Sequence, residues 1–218
     1  MIDYLALAIL AVLAMSLASL PLWLFEIWSK YRVQKYFRIL GQRLGLNFQK
    51  QPSELGGEAK VLGGELGGEL AVRGLYKGRW IETELCYTKP PRAFPITRVT
   101  LRSKEPIAAK ARIFGKSFFA ITPEGLYQRF EDPYIDDRLV FETESQELAS
   151  KLRDPTVLES LRHALEQGSS RGELLLEADR LQYSDPKHVS SRRDVDLLIA
   201  VVELLHLVAQ RLEDRVEH

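Results

Sequence analysis

Apolar and polar positions follow three successive patterns along this chain. From Tyr4 to Phe25 no charged residue interrupts an apolar run, in which Ser16, Ser19 and Pro21 are the exceptions. As a helix rising about 1.5 Å per residue the run reaches roughly 33 Å, against a hydrocarbon core of about 30 Å, so it predicts one membrane crossing. Tyr4 at one end and Trp23, Phe25, Trp28 and Tyr31 at the other suit the two headgroup zones. A cleavable signal peptide fits less well, because Asp3 and no Lys or Arg precedes the run, and apolar residues continue past Ala18. Residues 1–28 are therefore expected to be a single transmembrane anchor.

Charge then enters with one sign. Residues 29–50 contain Lys30, Arg32, Lys35, Arg38, Arg43 and Lys50 and no Asp or Glu, which predicts an inner-membrane protein with its amino terminus outside and its bulk in the cytoplasm. Val33, Tyr36, Phe37, Leu40 and Leu44 share one helical face, giving a basic amphipathic juxtamembrane helix. Two readings stay open. Lys30, Arg32, Lys35, Arg38 and Arg43 lie against anionic lipid, each worth about 1 kcal/mol, or the apolar face packs on the folded domain.

Residues 51–68 hold three glycine pairs and read as a mobile connection. The P-loop and the dinucleotide fingerprint both require a helix after the glycines, whereas a strand pattern follows Gly68. From Leu70 the period is two. Leu70 to Gly74 and Ile81 to Tyr87 flank a Lys77-Gly78 turn as a hairpin, and Val99 to Leu101 and Ala109 to Ile113 add strands. Phe118–Ile121, Leu126–Phe130 and Arg138–Thr143 supply up to three more, after a proline-rich loop from Lys89 to Pro95 that cannot continue a ladder.

Helical signals take over at Ser145 and Asp154, each a cap residue, with Pro155 at a first helical position and Gly168 past an end. A small hairpin is expected from Glu173 to Tyr183, and Ser191-Arg-Arg-Asp194 forms a capping box. In the closing helix, about Arg193 to Glu213, a heptad-spaced stripe of Val195, Leu198, Val202, Leu205 and Leu212 could pair with a partner helix or a second copy. Alternatively it caps the sheet as core. The predicted fold class is α+β: one transmembrane helix, then residues 69–218 as a largely antiparallel sheet domain with C-terminal helices.

Composition narrows function. Thirty basic and thirty acidic residues give no general drive toward nucleic acid. At 45% hydrophobic and 28% charged the chain should fold. The lone Cys86 fits a reducing compartment and offers no disulfide. Glu131, Asp132, Asp136 and Asp137 make a dense carboxylate group, a weak candidate for a divalent metal or for hydrolysis, though it lacks the EF-hand spacing and Asp-Pro is ordinary turn chemistry. No histidine pair has ligand spacing, so no cofactor is expected.

Two segments carry a family resemblance: Gly74-Leu-Tyr-Lys-Gly78-Arg79, and Asp132 through Val140. They resemble patterns in a family of uncharacterised bacterial membrane-anchored proteins with a strand-rich middle and a closing leucine-rich helix. The resemblance implies a bacterial, membrane-associated protein and transfers no site residues.

The function expected is a tethered interaction or scaffolding module with a protein partner or a second copy of itself. Two alternatives stand beside it. One is a peripheral module holding anionic lipid through the basic helix and Arg98, Arg102, Lys110 and Arg112 of the strands; the other is a hydrolase built on the acidic group.

Overall fold

The computed structural model describes residues 24, 27–50, 65–88, 94–107, 109–116, 127–168 and 171–213. Helix α1 spans 27–44. Strands β1 (Asn47–Lys50), β2 (Glu65–Tyr76), β3 (Arg79–Thr88), β4 (Pro95–Arg102), β5 (Ala111–Gly115) and β6 (Tyr127–Gln128) follow, then the short helix α2 (Pro133–Asp136) and strand β7 (Leu139–Thr143). Helices α3 (Gln146–Leu152) and α4 (Pro155–Glu166), strands β8 (Glu173–Glu177) and β9 (Arg180–Asp185) and helix α5 (Arg192–Glu213) complete it.

The strands form one nine-stranded sheet in the order β1-β2-β3-β4-β9-β8-β5-β7-β6, with every pairing antiparallel. Because successive strand residues point to opposite faces, register sorts the side chains into rows. One row runs Phe48, Val72, Thr83, Val99, Tyr183, Leu174, Ile113, Phe141 across eight strands, and all but Phe48 are buried. The row beside it runs Asn47, Arg73, Glu82, Thr100, Gln182, Leu175, Arg112, Glu142, Tyr127 and is almost wholly polar. The apolar face carries the helices; the polar face is exposed toward the β2–β3 turn, while Ala71 and Cys86 on that same face are buried.

Over the apolar face lies α5, with Val195, Leu198, Val201, Val202, Leu204, Leu205, Val208 and Ala209 all buried. It packs on α3, α4, β4 and β9. From α1, Val33, Phe37, Leu40 and Leu44 join the same core cluster. There, a Cβ on Gly41 would meet the Leu46 carbonyl at 3.1 Å, so glycine lets this helix approach the sheet.

Local chemistry explains the element ends. Lys77 (φ 48°) and Gly78 (φ 78°) are both left-handed, as a two-residue hairpin turn requires. Ser145 accepts the Leu148 amide and Asp154 the Thr156 amide, and Pro155 opens α4. At α5 Ser191 Oγ accepts the Asp194 amide at 3.2 Å, while the Asp194 carboxylate reaches one residue further back than a capping box requires, to the Ser190 amide at 2.9 Å.

The expected transmembrane architecture is corrected. Among the described residues no helix is long and apolar enough to cross a membrane. Five cations interrupt α1, and Asp194, Asp196, Glu203 and Arg211 interrupt α5. The apolar run Tyr4–Phe25 lies outside the described residues except for Leu24. The single-pass inner-membrane placement, with its outside amino terminus, is accordingly withdrawn.

Smaller differences have local causes. Residues 29–50 were expected to be helical throughout, but Gly45 turns the chain at φ 67° and Asn47–Lys50 pair with β2. The glycine-rich stretch yields its last four residues to β2, while 51–64 and the expected strand Phe118–Ile121 lie outside the described residues. Of the expected strand Leu126–Phe130, Tyr127–Gln128 pair with β7 and Phe130 turns inward to stack on Phe141 with centroids 4.8 Å apart, while Leu126 lies outside the described residues.

Thr83 sits in the apolar row fully buried, and among the described residues its hydroxyl has no hydrogen-bond partner. Desolvating a hydroxyl without compensation costs on the order of 1–3 kcal/mol, and valine has nearly the same shape. Thr83→Val is therefore expected to stabilise the protein by about 1 kcal/mol in urea denaturation; a loss of stability would show that the hydroxyl is satisfied.

Candidate functional site

Each charge on the polar face has a counterpart within reach across most of its width. Arg73 bonds Glu82, Arg98 bonds Glu84 at 3.0 Å, Arg112 bonds Glu173 and lies 3.8 Å from Glu142, and Lys110 bonds Glu177 at 3.2 Å. Such ladders neutralise one another and leave little field for a ligand. Burial raises the Glu84 carboxyl and the Cys86 thiol above their ordinary values, so that thiol is a poor nucleophile.

The corner at the β2–β3 turn departs from this pattern. Leu75 pairs directly with Trp80 on the polar face, and they are 67% and 43% exposed. Beyond the Ile81–Leu101 pair, Arg102 follows on β4 beside Trp80, and Arg102 stands directly opposite Arg180 on β9. Like charges facing each other across two strands destabilise a sheet. Among the described residues neither arginine forms an ion pair, since Glu177, opposite Arg180, is held by Lys110. Arg98 is near enough that, after burial, the Arg180 charge is a further cause lowering its pKa. Two exposed apolar side chains thus stand beside two arginines that have no counterion among the described residues. This is the composition of an interface hot spot.

A buried latch fixes that corner from the other side. Arg79, 6% exposed, alternates inward next to Trp80 and donates to Glu213 at the end of α5 at 2.5 Å. Glu213 also accepts the Lys104 amide at 2.8 Å and the Ser103 hydroxyl at 3.1 Å. His206, one face of α5 earlier, meets Tyr76 edge-on with centroids 6.0 Å apart. Burial, then the Arg79 and Lys77 charges, hold its pKa below the ordinary value.

Sequence-expected residues fall elsewhere. Val195, Leu198, Val202 and Leu205 lie in the core and Leu212 packs partly buried against it, so the stripe considered for a partner faces this chain's own sheet and helices. In the acidic group Asp132 is buried, caps α2 through the Tyr134 and Ile135 amides and pairs with Arg162 at 2.6 Å. Asp136 accepts the Phe130 amide at 2.8 Å, Asp137 is the C-cap of α2, and Glu131 lies 3.6 Å from Arg153. Among the described residues no group of three or more His, Cys, Asp or Glu could hold a metal. Of the basic-helix residues, Arg32 donates to the Ser190 carbonyl at 3.0 Å, Arg43 pairs with Asp196, Arg38 stacks over Phe48, and Lys30 and Lys35 are exposed.

The corner residues Leu75, Trp80 and Arg180 went unnoticed in the sequence, yet a signal existed. Leu75 and Trp80 are out of phase with Val72, Ile81, Thr83 and Leu85, which places large apolar side chains on the polar face. An apolar cavity of about 30 Å³ between α4, α5 and the sheet, lined by Leu161, Leu165, Leu174 and Leu205, has room for about one water and is no ligand site.

No family model matches the chain, and no curated protein matches it. A solved structure with a similar fold is the mycobacterial trehalose monomycolate transport factor A, TtfA, with a TM-score of 0.53 and 12% identity over 83% of this chain and 94% of that one. At that identity the likeness concerns the fold alone.

Two measurements test the assigned roles. Truncating Asp132 to Ala removes a cap and leaves Arg162 unpaired, for an expected loss of about 1–3 kcal/mol in urea denaturation; unchanged stability would free the carboxylate for other chemistry. For Glu213, burial is outweighed by Arg79, the Lys104 amide and Ser103, which hold its carboxyl below the ordinary 4.5. A lowered carboxyl contributes stability above 4.5 that is lost as pH falls through its folded value. Glu213→Gln should therefore lower stability at neutral pH and shallow the acid limb of a stability–pH curve, leaving the part due to the likewise lowered Asp154 and Asp194. An acid limb of unchanged slope would contradict the latch.

Proposed function

We propose that this protein is a binding module, an accessory factor without a catalytic step of its own, that holds a partner protein at the Leu75–Trp80–Arg102–Arg180 corner. One observation carries the reading. The corner combines an exposed cross-strand apolar pair with two opposed arginines that have no ion-pair partner among the described residues, on a face where Arg73, Arg98, Lys110 and Arg112 are each paired with a carboxylate. Facing guanidiniums carry a standing repulsion, which a carboxylate placed between them would relieve with charge-assisted hydrogen bonds. The partner segment that fits carries an Asp or Glu beside an apolar or aromatic side chain, the latter covering Leu75 and Trp80.

The acidic group supports the non-catalytic reading from another direction. Asp132 and Asp136 hold the α2 turn with their carboxylates, so using either as an acid or base would dismantle its own support. The name of the solved neighbour, a transport factor, is compatible with an accessory binding role and adds nothing about the cargo.

Selection of a random displayed-peptide library on the full chain tests this. Enriched peptides should carry acidic residues flanking an apolar one. Binding should fall about tenfold or more with Trp80→Ala and with Arg102→Glu plus Arg180→Glu, at unchanged melting temperature, as expected for a hot spot. Peptides without acidic enrichment, or binding indifferent to both substitutions, would reject the corner as the docking site.

A further inference from the structure

Helix α1 already buries one face: Val33, Phe37, Leu40 and Leu44. At about 100° per residue, Leu24, Ile27, Trp28 and Tyr31 gather on the opposite side, and Lys35 and Arg38 continue the same line. These apolar and aromatic side chains are 51, 46, 52 and 65% exposed, and Lys35 and Arg38 are exposed as well. A surface helix with its core-facing stripe satisfied normally turns polar residues outward. Here the outward side is apolar for two turns and cationic afterwards.

We infer that this outward stripe rests along an anionic lipid surface, without crossing it. Charge selects the occupant: from Ile27 to Lys50 there are six Lys or Arg and not one Asp or Glu. Trp28 and Tyr31 are the side chains that settle at headgroup depth, with an apolar body and a polar edge. From Ile27 to Arg38 the line is roughly 17 Å long at about 1.5 Å per residue. A helix with an apolar strip followed by cations on one side is the composition of interfacial binding. The Arg32 guanidinium, over the Trp28 ring at 4.4 Å and bonded to the Ser190 carbonyl at 3.0 Å, ties the strip to the rest of the domain. The inference is independent of the sheet corner.

The test uses the full chain and two vesicle preparations, phosphatidylcholine alone and phosphatidylcholine mixed with phosphatidylglycerol, in flotation assays at low and high salt. The zwitterionic arm reports any attraction from the remainder of the chain, so the readout is the extra binding to anionic vesicles. That increment should be about tenfold or more at low salt, shrink at high salt, and be lost in Lys35→Glu plus Arg38→Glu. Trp28→Ala plus Tyr31→Ala should weaken binding to anionic vesicles by a similar factor, with the melting temperature held because both side chains are outside the core. Equal binding to both vesicle types overturns the inference, as does an anionic increment that neither double variant changes. A stripe that instead sets the oligomeric state, seen as a change of mass in solution with Trp28→Ala plus Tyr31→Ala and no change in flotation, assigns it to a second copy of the chain and overturns the inference too.

Discussion

Helix α5 buries side chains over roughly two thirds of its circumference at about 100° per residue, about twice the arc an ordinary surface helix commits to a core. It can do so because the sheet lies beneath it and other helices flank it, and those elements find their places by contact with it. Its ends are fixed by polar chemistry where apolar packing gives no direction. At the start, Asp194 accepts the Ser190 amide and pairs with Lys187 at 2.8 Å, while Arg32 and Arg43 of α1 reach Ser190 and Asp196. At the far end Glu213 gathers Arg79, Ser103 and the Lys104 amide, which binds the helix to the β2–β3 turn. A charge-assisted bond inside a low-dielectric contact is directional in a way that leucine packing is not. The geometry of the exposed corner is thus set from inside.

The sheet has a second constraint, in its connectivity. Strands β8 and β9, late in the chain, occupy the middle of the sheet and join the β1–β4 meander to the β5–β7 group. The β4–β9 and β5–β8 pairings span long stretches of chain, so loop closure precedes much of the packing that repays it, and such topologies fold slowly. The close approach of Gly172 to Tyr183 belongs to this junction: a Cβ there would meet the ring at 2.3 Å.

Much of the local structure was legible because each strand keeps one face apolar and one polar. The alternation from Leu70 to Tyr87, the Lys77-Gly78 turn and the caps at Ser145, Asp154 and Ser191 follow from residue chemistry within a few positions. Strand order does not, since Glu173 to Tyr183 reads equally as a detached hairpin or a central one. The closing heptad stripe was ambiguous for a related reason: Val195, Leu198, Val202 and Leu205 would present the same spacing to a partner helix as they do to their own sheet. The acidic turn shows the converse. Asp132 and Asp136 look like ligands as a list of carboxylates; Asp-Pro points to a turn, and the backbone amides they accept define which turn they hold.

The two exposed surfaces share one composition, apolar side chains beside cations, yet they stand on opposite sides of the domain. Leu75 and Trp80 project from the polar face of the sheet, whereas α1 lies over the helix-bearing face and turns its exposed stripe further outward. Occupants of these sites would not compete for space. Nor would one easily alter the other, because between them lies a core in which Val72, Ile81, Leu205 and Ala209 are fully buried, and close-packed interiors do not deform gradually. Taken together, the two proposed attachment faces with a close-packed core between them would hold two occupants in a fixed relation.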